Sequence, residues 1–452
     1  MHLRYIINSN QHSIRLSLGV YILTLVTFSV LPFMVRAEQP TEFKLDDFIN
    51  EIRLKDPAIK AARFRWQAMQ VKAPAAGVLP DPTLNYGYYF SNVETRVGAM
   101  NQRIAFAQEF LFPGKLTLSE KRAQEEAEIA MWQYHRVTRA SITQGKIFYF
   151  ELNRIDRTRE ILTNQIDLVK KMIQTLQSRF ETNQAHLPDV LLAKQTLSDL
   201  SIQLASLNGD RGFLIALINR LRGMAPDAVV SETNTIAYPK LPDKAMLLSL
   251  AEKNNETLKA EEAAIRRDEI TVKLSKKNRY PDFTVGVDYT QVNSKIFSNP
   301  FDNGQDAVFG YVSINLPIRF RRYVSYERSA RSSLSATREQ WEATRLDIRA
   351  EAAGVYSRAE AFFEQIDLYE RTLLPQARET YQATVMGYGA GRDSALKWIE
   401  SQRNLLGAET GWVFLKAELA KAVSELEKIV AVELFHPSLT TAIFMPSQNL
   451  NY

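Results

Sequence analysis

The sequence predicts a mainly α-helical chain with a smaller β part, organised as one arrangement written twice. Three observations predict it. Pro80-Asp81-Pro82-Thr83-Leu84 returns as Pro281-Asp282-Phe283-Thr284-Val285, and Phe110-Leu111-Phe112-Pro113 returns as Ile314-Asn315-Leu316-Pro317. Each copy contains a very long stretch with apolar residues at alternating steps of four and three. Ahead of each stretch lie two short segments with apolar residues at every second position. Because a duplication decides the fold before any single element does, the chain divides into a leader at 1–37, a first repeat at 38–225, a linker at 226–243, a second repeat at 244–436 and a tail at 437–452.

The leader sets the compartment. Arg4, His12 and Arg15 precede an apolar run from Leu16 to Val35, and no acid occurs before Glu38. Val35-Arg36-Ala37 supplies small residues where a signal peptidase reads them, so 1–37 reads as a secretory signal peptide. The alternative is a permanent anchor, since the run is nearly long enough to span a bilayer. Ser17, Thr24, Thr27, Ser29 and Pro32 dilute it and favour cleavage. No cysteine follows the run, which excludes a lipid anchor on cysteine. Without Arg4, Arg15 and Arg36 the formal charge of +5 falls to +2. A nearly neutral mature chain gives no basic stripe for nucleic acid. The absence of cysteine also rules out a disulfide framework, so stability must come from large packed elements.

In the first repeat a helix is expected over about 45–76, a long helix over about 114–181 and another over about 189–222. Inside the long one, Phe148, Leu152, Ile155, Leu162, Ile166, Val169, Ile173, Leu176 and Phe180 form a heptad seam in which Arg159 fills the one polar slot. Such a helix would be about 100 Å long at about 1.5 Å per residue. The second repeat expects helices over about 244–278, 321–386 and 394–434. Its seam runs Ile348, Ala352, Val355, Ala359, Phe362, Ile366, Tyr369 and Leu373, and Pro375 predicts a kink. The two shorter helices of each repeat nearly sum to the long one. Stacked end to end beside it, they would make a strip of coiled coil two helices wide, although an ordinary bundle core would show the same stripes.

Between the helices, Leu84, Tyr86, Tyr88 and Phe90 alternate with Asn85, Gly87 and Tyr89, followed by a second segment at about 102–111. In the other repeat Val285, Val287 and Tyr289 alternate with Gly286 and Asp288, followed by about 307–316. Their length and tyrosine content suit tilted transmembrane strands; a soluble hairpin with one buried face is the alternative. Asn92 to Asn101 and Ser294 to Asp306 read as polar connectors. Four strands cannot close a barrel, and an open edge in lipid leaves backbone groups unsatisfied. If the strands span a membrane, several chains must share one barrel, and three chains would give twelve strands and twelve helix columns.

The signal peptide, the tandem copies, Pro-Asp-Pro-Thr-Leu before a tyrosine-rich strand, Phe112-Pro113-Gly114-Lys115 opening the long helix and Leu373-Leu374-Pro375-Gln376-Ala377 inside its twin resemble the outer-membrane efflux protein (TolC) family over about 42–436. The Pro-Asp-Pro-Thr-Leu stretch and Val93-Glu94-Thr95-Arg96-Val97-Gly98 look similar to its heavy-metal cation efflux branch. The resemblance implies a homotrimeric channel-tunnel: a twelve-stranded barrel in outer-membrane lipid and a long α-helical coiled-coil barrel through the periplasm. It implies a passive exit duct for a tripartite efflux pump or type I secretion system, partnered by a periplasmic adaptor (membrane fusion) protein and an inner-membrane transporter of the RND, ABC or MFS type.

The same resemblance places a gate at the helical tips, Phe180 to Asp189 and Tyr388 to Ser394. Asp189 and Tyr388 match partners in the family's closed state. Asn183 replaces the glycine of the first tip and tolerates a left-handed turn. In the second tip Gly391 matches, but the family's arginine falls on Asp393 unless Arg392 is shifted by one. Asp189 also sits where an acid complements a helix start, so capping is the plain alternative. Glu400 matches the outer of two acids that form a constriction ring, and Lys397 stands where the other would be. A ring of Glu400 carboxylates would attract cations, whereas lysines would blunt it.

Outside the leader only His135, His186 and His436 occur, without metal-ligand spacing. There is no Cys, no Walker-type loop and no Gly-x-Ser-x-Gly. The expectation is therefore no enzyme, no cofactor and no metal site. The rival function is a periplasmic coiled-coil adaptor or scaffold, which the heptads alone allow and which would have no use for two tyrosine-rich hairpins.

Overall fold

The computed structural model describes residues 42–233, 241–297 and 300–434. The expected leader and tail lie outside the described residues, as does part of the linker. The first helical region is α1 (Leu45–Lys55) and α2 (Pro57–Ala75), followed by β1 (Thr83–Thr95), β2 (Gly98–Phe110), α3 (Lys115–Glu181) and α4 (Leu187–Arg222). The order then recurs as α5 (Lys244–Asn254), α6 (Glu256–Lys277), β3 (Phe283–Asn293) and β4 (Ala307–Ile314). It continues with α7 (Phe320–Leu368), a π-helical turn (Tyr369–Leu373), α8 (Leu374–Gly389) and α9 (Ala395–Val430).

α3 spans 67 residues, about 100 Å at about 1.5 Å per residue. Leu152, Ile155, Leu162, Ile166, Val169, Ile173 and Leu176 of its predicted seam are buried, as are Ile348, Ala352, Val355, Ala359 and Ile366 of the second seam. The last seam positions differ. Phe180 is 42% exposed and Leu373 41%, because the first sits at a helix end and the second in the π turn. That turn is how the chain accommodates Pro375. The Leu374 N–H donates to the Tyr369 carbonyl, five residues back, so the ladder widens just where proline has no N–H to give.

Each expected first helix is in fact two. α1 stops before Asp56, whose carboxylate accepts from the Ala58 N–H at 2.9 Å with Pro57 opening α2. α5 stops before Asn255, whose side chain accepts from the Thr257 N–H at 2.9 Å. Both are ordinary N-caps, and both sit where two short helices meet end to end. Asn255 also donates to the Ile429 carbonyl near the end of α9 at 2.9 Å. Arg222, closing α4, donates to Glu51 of α1 at 2.5 Å.

The strands form one antiparallel sheet in the order β1-β2-β3-β4, so the two hairpins pair directly through β2 and β3. The expected connector at 92–101 is mostly strand. Val93, Glu94 and Thr95 pair with Met100, Ala99 and Gly98, leaving a tight turn at Arg96-Val97. Polar side chains do not oppose pairing when backbone hydrogen bonds are satisfied across the hairpin. The longer connector after β3 is present as expected.

Candidate functional site

The sheet has two chemically different faces. Leu84, Tyr86, Tyr88 and Phe90 share one face with Ile104 and Phe106 of β2, with Phe283, Val285, Val287 and Tyr289 of β3, and with Val308, Val312 and Ile314 of β4. All are exposed. The other face carries Asn85, Gly87, Arg103, Ala105, Thr284, Asp288 and Thr290, with Arg103 paired to Asp288. Tyr311 lies over Gly286, its cross-strand neighbour, where a side chain would collide with the ring. A mostly apolar face backed by one that is mostly polar or small, with Phe309 as its large apolar exception, is the pattern of a transmembrane barrel wall. No helix among the described residues is long and apolar enough to cross a membrane.

Where the sheet meets the helices, the two hairpins are locked together. Lys115, the first residue of α3, is buried and donates to both carboxylate oxygens of Asp282 at 2.8 Å and to the Tyr280 carbonyl at 3.0 Å. Asp282 in turn accepts from the Phe112 N–H at 2.7 Å. The Phe112 and Tyr280 rings stack at 4.5 Å beside this pair.

At the opposite end of the helices the two tips lie side by side. Asn183 and Gly391 both take left-handed backbone, φ 55° and 72°, as expected for each turn. Asp189 caps α4 by accepting from the His186 N–H at 3.4 Å. Tyr388 is buried against Trp398, ring centroids 5.1 Å apart. Burial pushes the Tyr388 phenol above its usual range; the Arg179 guanidinium opposes this and the Asp189 carboxylate adds to it. Asp393 forms an ion pair with Lys397 at 2.7 Å. Arg392 and Glu400 are exposed and have no side-chain partner among the described residues.

Sequence reasoning missed Arg179. It closes α3 and donates to the Tyr388 carbonyl at 2.8 Å and the Gly389 carbonyl at 2.7 Å, with its guanidinium 4.8 Å from the Tyr388 ring centroid. These carbonyls end α8, where the Tyr388 carbonyl also accepts from the Gly391 N–H at 3.1 Å. A base in the last turn of a helix reads as complement to that helix's own dipole, which hides its service to a neighbour.

A mainly helical chain with an amphipathic four-stranded sheet at one end and paired tips at the other is the protomer of an outer-membrane channel with a helical periplasmic extension. The comparisons agree. Residues 247–432 match the model of the family described as outer membrane efflux protein. It is 22% identical over 359 residues to the cobalt-zinc-cadmium resistance protein CzcC of Cupriavidus metallidurans, covering 78% of this chain and 82% of that protein. Its fold matches VceC of Vibrio cholerae (TM-score 0.72, 20% identity, 86% of this chain and 96% of VceC). It also matches the MtrE outer membrane channel of Neisseria gonorrhoeae in its open state (TM-score 0.71, 13% identity, 86% and 89%). These likenesses, with the amphipathic sheet, favour an outer-membrane efflux channel over the adaptor or scaffold reading.

Proposed function

We propose that three copies close the sheet into a twelve-stranded barrel and form the exit duct of a tripartite pump, receiving cargo through a periplasmic adaptor from an inner-membrane transporter. The observation that carries the trimer is the sheet itself. Among the described residues its β1 and β4 edges have no partner strand, while one face is mostly apolar. In lipid such edges cost several kcal/mol per unsatisfied group, and a second copy supplies the missing strand. Heavy-metal cations are the proposed cargo, on the likeness to CzcC, and the RND class is the matching transporter, with ABC and MFS pumps or type I secretion as the other exits of this design.

The gate is proposed at the tips, where Arg179 holds the two tips of one chain together, with Asp189, Tyr388, Arg392 and Asp393 as its residues. Because Asp393 neutralises Lys397 within the chain, the exposed Glu400 is left as the acidic group of the constriction. Outer-membrane fractions should contain a trimer that dissociates only on heating, and the purified trimer should conduct in planar bilayers. A soluble monomer with no conductance refutes the proposal. A deletion strain that stays resistant to cobalt, zinc and cadmium refutes the cargo alone.

A further inference from the structure

The lock between the two hairpins exists once in the chain, yet its components occur twice. Lys115 stands two residues after Pro113, and Arg319 stands two residues after Pro317. Asp282 follows Pro281 as Asp81 follows Pro80. Phe112 precedes Pro113 as Leu316 precedes Pro317, and Tyr280 precedes Pro281 as Leu79 precedes Pro80. Within the chain only the combination of Phe112 and Lys115 from the first repeat with Tyr280 and Asp282 from the second comes together. The remaining combination sits at the two outer ends of the sheet, Arg319 and Leu316 after the β4 edge and Asp81 and Leu79 before the β1 edge.

Those leftover positions are unpartnered. The Arg319 and Asp81 side chains are exposed and have no hydrogen bond or ion pair among the described residues. Leu316 is 74% exposed and Leu79 37%, although their counterparts Phe112 and Tyr280 stack face to face. The chemistry is preserved in each slot: a base opposite an acid, and a large apolar side chain opposite another.

We propose that the lock is rebuilt between chains, with Arg319 of one chain paired to Asp81 of the next and Leu316 packed on its Leu79. This rests on the trimer proposed above and names the contacts that close it. β4 then receives the next chain's β1 as β2 receives β3, with Val308, Val312 and Ile314 continuing the apolar face into Leu84, Tyr86 and Tyr88. Arginine suits the role, since its planar fork holds a carboxylate in two places at an interface that is assembled late. The three rebuilt locks and the three internal ones would ring the junction of barrel and helices.

The chain has no cysteine, so paired substitutions report cleanly. In full-length protein in outer-membrane fractions, Leu79→Cys with Leu316→Cys, treated with a short bis-maleimide, should yield covalent dimers and trimers on a denaturing gel. Phe112→Cys with Tyr280→Cys should cross-link within one chain and give no ladder, which shows that the reagent reaches across such a seam. Asp81→Lys and Arg319→Glu should each lose heat-resistant trimer, and the double variant should regain it. A heat-resistant trimer that gives no ladder, while the internal control cross-links, overturns the seam and leaves the trimer standing. No oligomer in the wild-type chain overturns both.

Discussion

Replacing Arg179 by alanine should free the tips. The side chain makes one partly buried hydrogen bond to the Tyr388 carbonyl, one exposed bond to the Gly389 carbonyl, and a stacking contact with the Tyr388 ring. A charged hydrogen bond that is partly shielded contributes about 1.5 kcal/mol at the low end of its range. The exposed one, screened by solvent, is discounted to about 0.5 kcal/mol, and the guanidinium over the ring adds about 0.5 kcal/mol. The total of about 2.5 kcal/mol per chain corresponds to about 60-fold in the balance between joined and parted tips, at 1.4 kcal/mol per tenfold. Purified Arg179→Ala trimers in planar bilayers should therefore show larger and longer openings than wild type. Arg179→Lys, which keeps the charge but cannot reach two carbonyls as a fork, should fall between. Thermal dissociation of the trimer separates loosened tips from a loosened barrel, because the sheet lies at the other end of the helices. Unchanged conductance in a correctly assembled Arg179→Ala trimer would refute the clamp.

Other changes probe the remaining sites. Glu400→Ala should abolish block of the pore by trivalent cations, and undiminished block would remove Glu400 from the constriction. Lys146→Met strips the buried Glu427 of its ammonium partner at 2.6 Å and should cost about 3–5 kcal/mol of stability, with Lys146→Met and Glu427→Met together recovering most of it by calorimetry. Burial holds the His135 imidazole below its usual range, Glu256 opposing and Arg139 adding. The folded chain thus refuses a proton that the unfolded chain accepts near pH about 6.5, so stability should fall as pH drops below that value and His135→Gln should flatten the slope in denaturant titrations. Gly145→Leu would drive a side chain into Ile52 and the Phe48 ring and should lower the melting temperature, overpacking costing about 1–3 kcal/mol.

The long helices were legible because seam periodicity persists over many turns and Phe112-Pro113-Gly114-Lys115 marks a start. Their end positions were less so, since Phe180 continues the spacing but has no neighbour to bury it. The breaks at Asp56 and Asn255 passed unseen for a different reason. Apolar spacing resumes almost in phase across each, whereas the local chemistry, an acid or amide followed two residues later by a free N–H, was present to be read. The hairpin turn at Arg96-Val97 was hidden because polar residues that leave the membrane can still pair through their backbones. Arg179 lay beyond sequence reading altogether, since its partners are carbonyls more than 200 residues away and no side-chain pattern announces a carbonyl.

The differences between the two copies follow from when each seam must form. The internal lock joins segments of one chain and is made as that chain folds. It can therefore use a stacked aromatic pair and a buried lysine, whose desolvation is offset at once by Asp282 and the Tyr280 carbonyl. The outer positions must remain compatible with water until another chain arrives. Aliphatic Leu79 and Leu316 expose less apolar surface there than Phe and Tyr would, and an exposed Arg319 keeps its hydration until a carboxylate replaces it. Divergence at these four positions, with sign and polarity retained, is what a duplicated protomer requires if one copy of a contact is folded and the other is assembled.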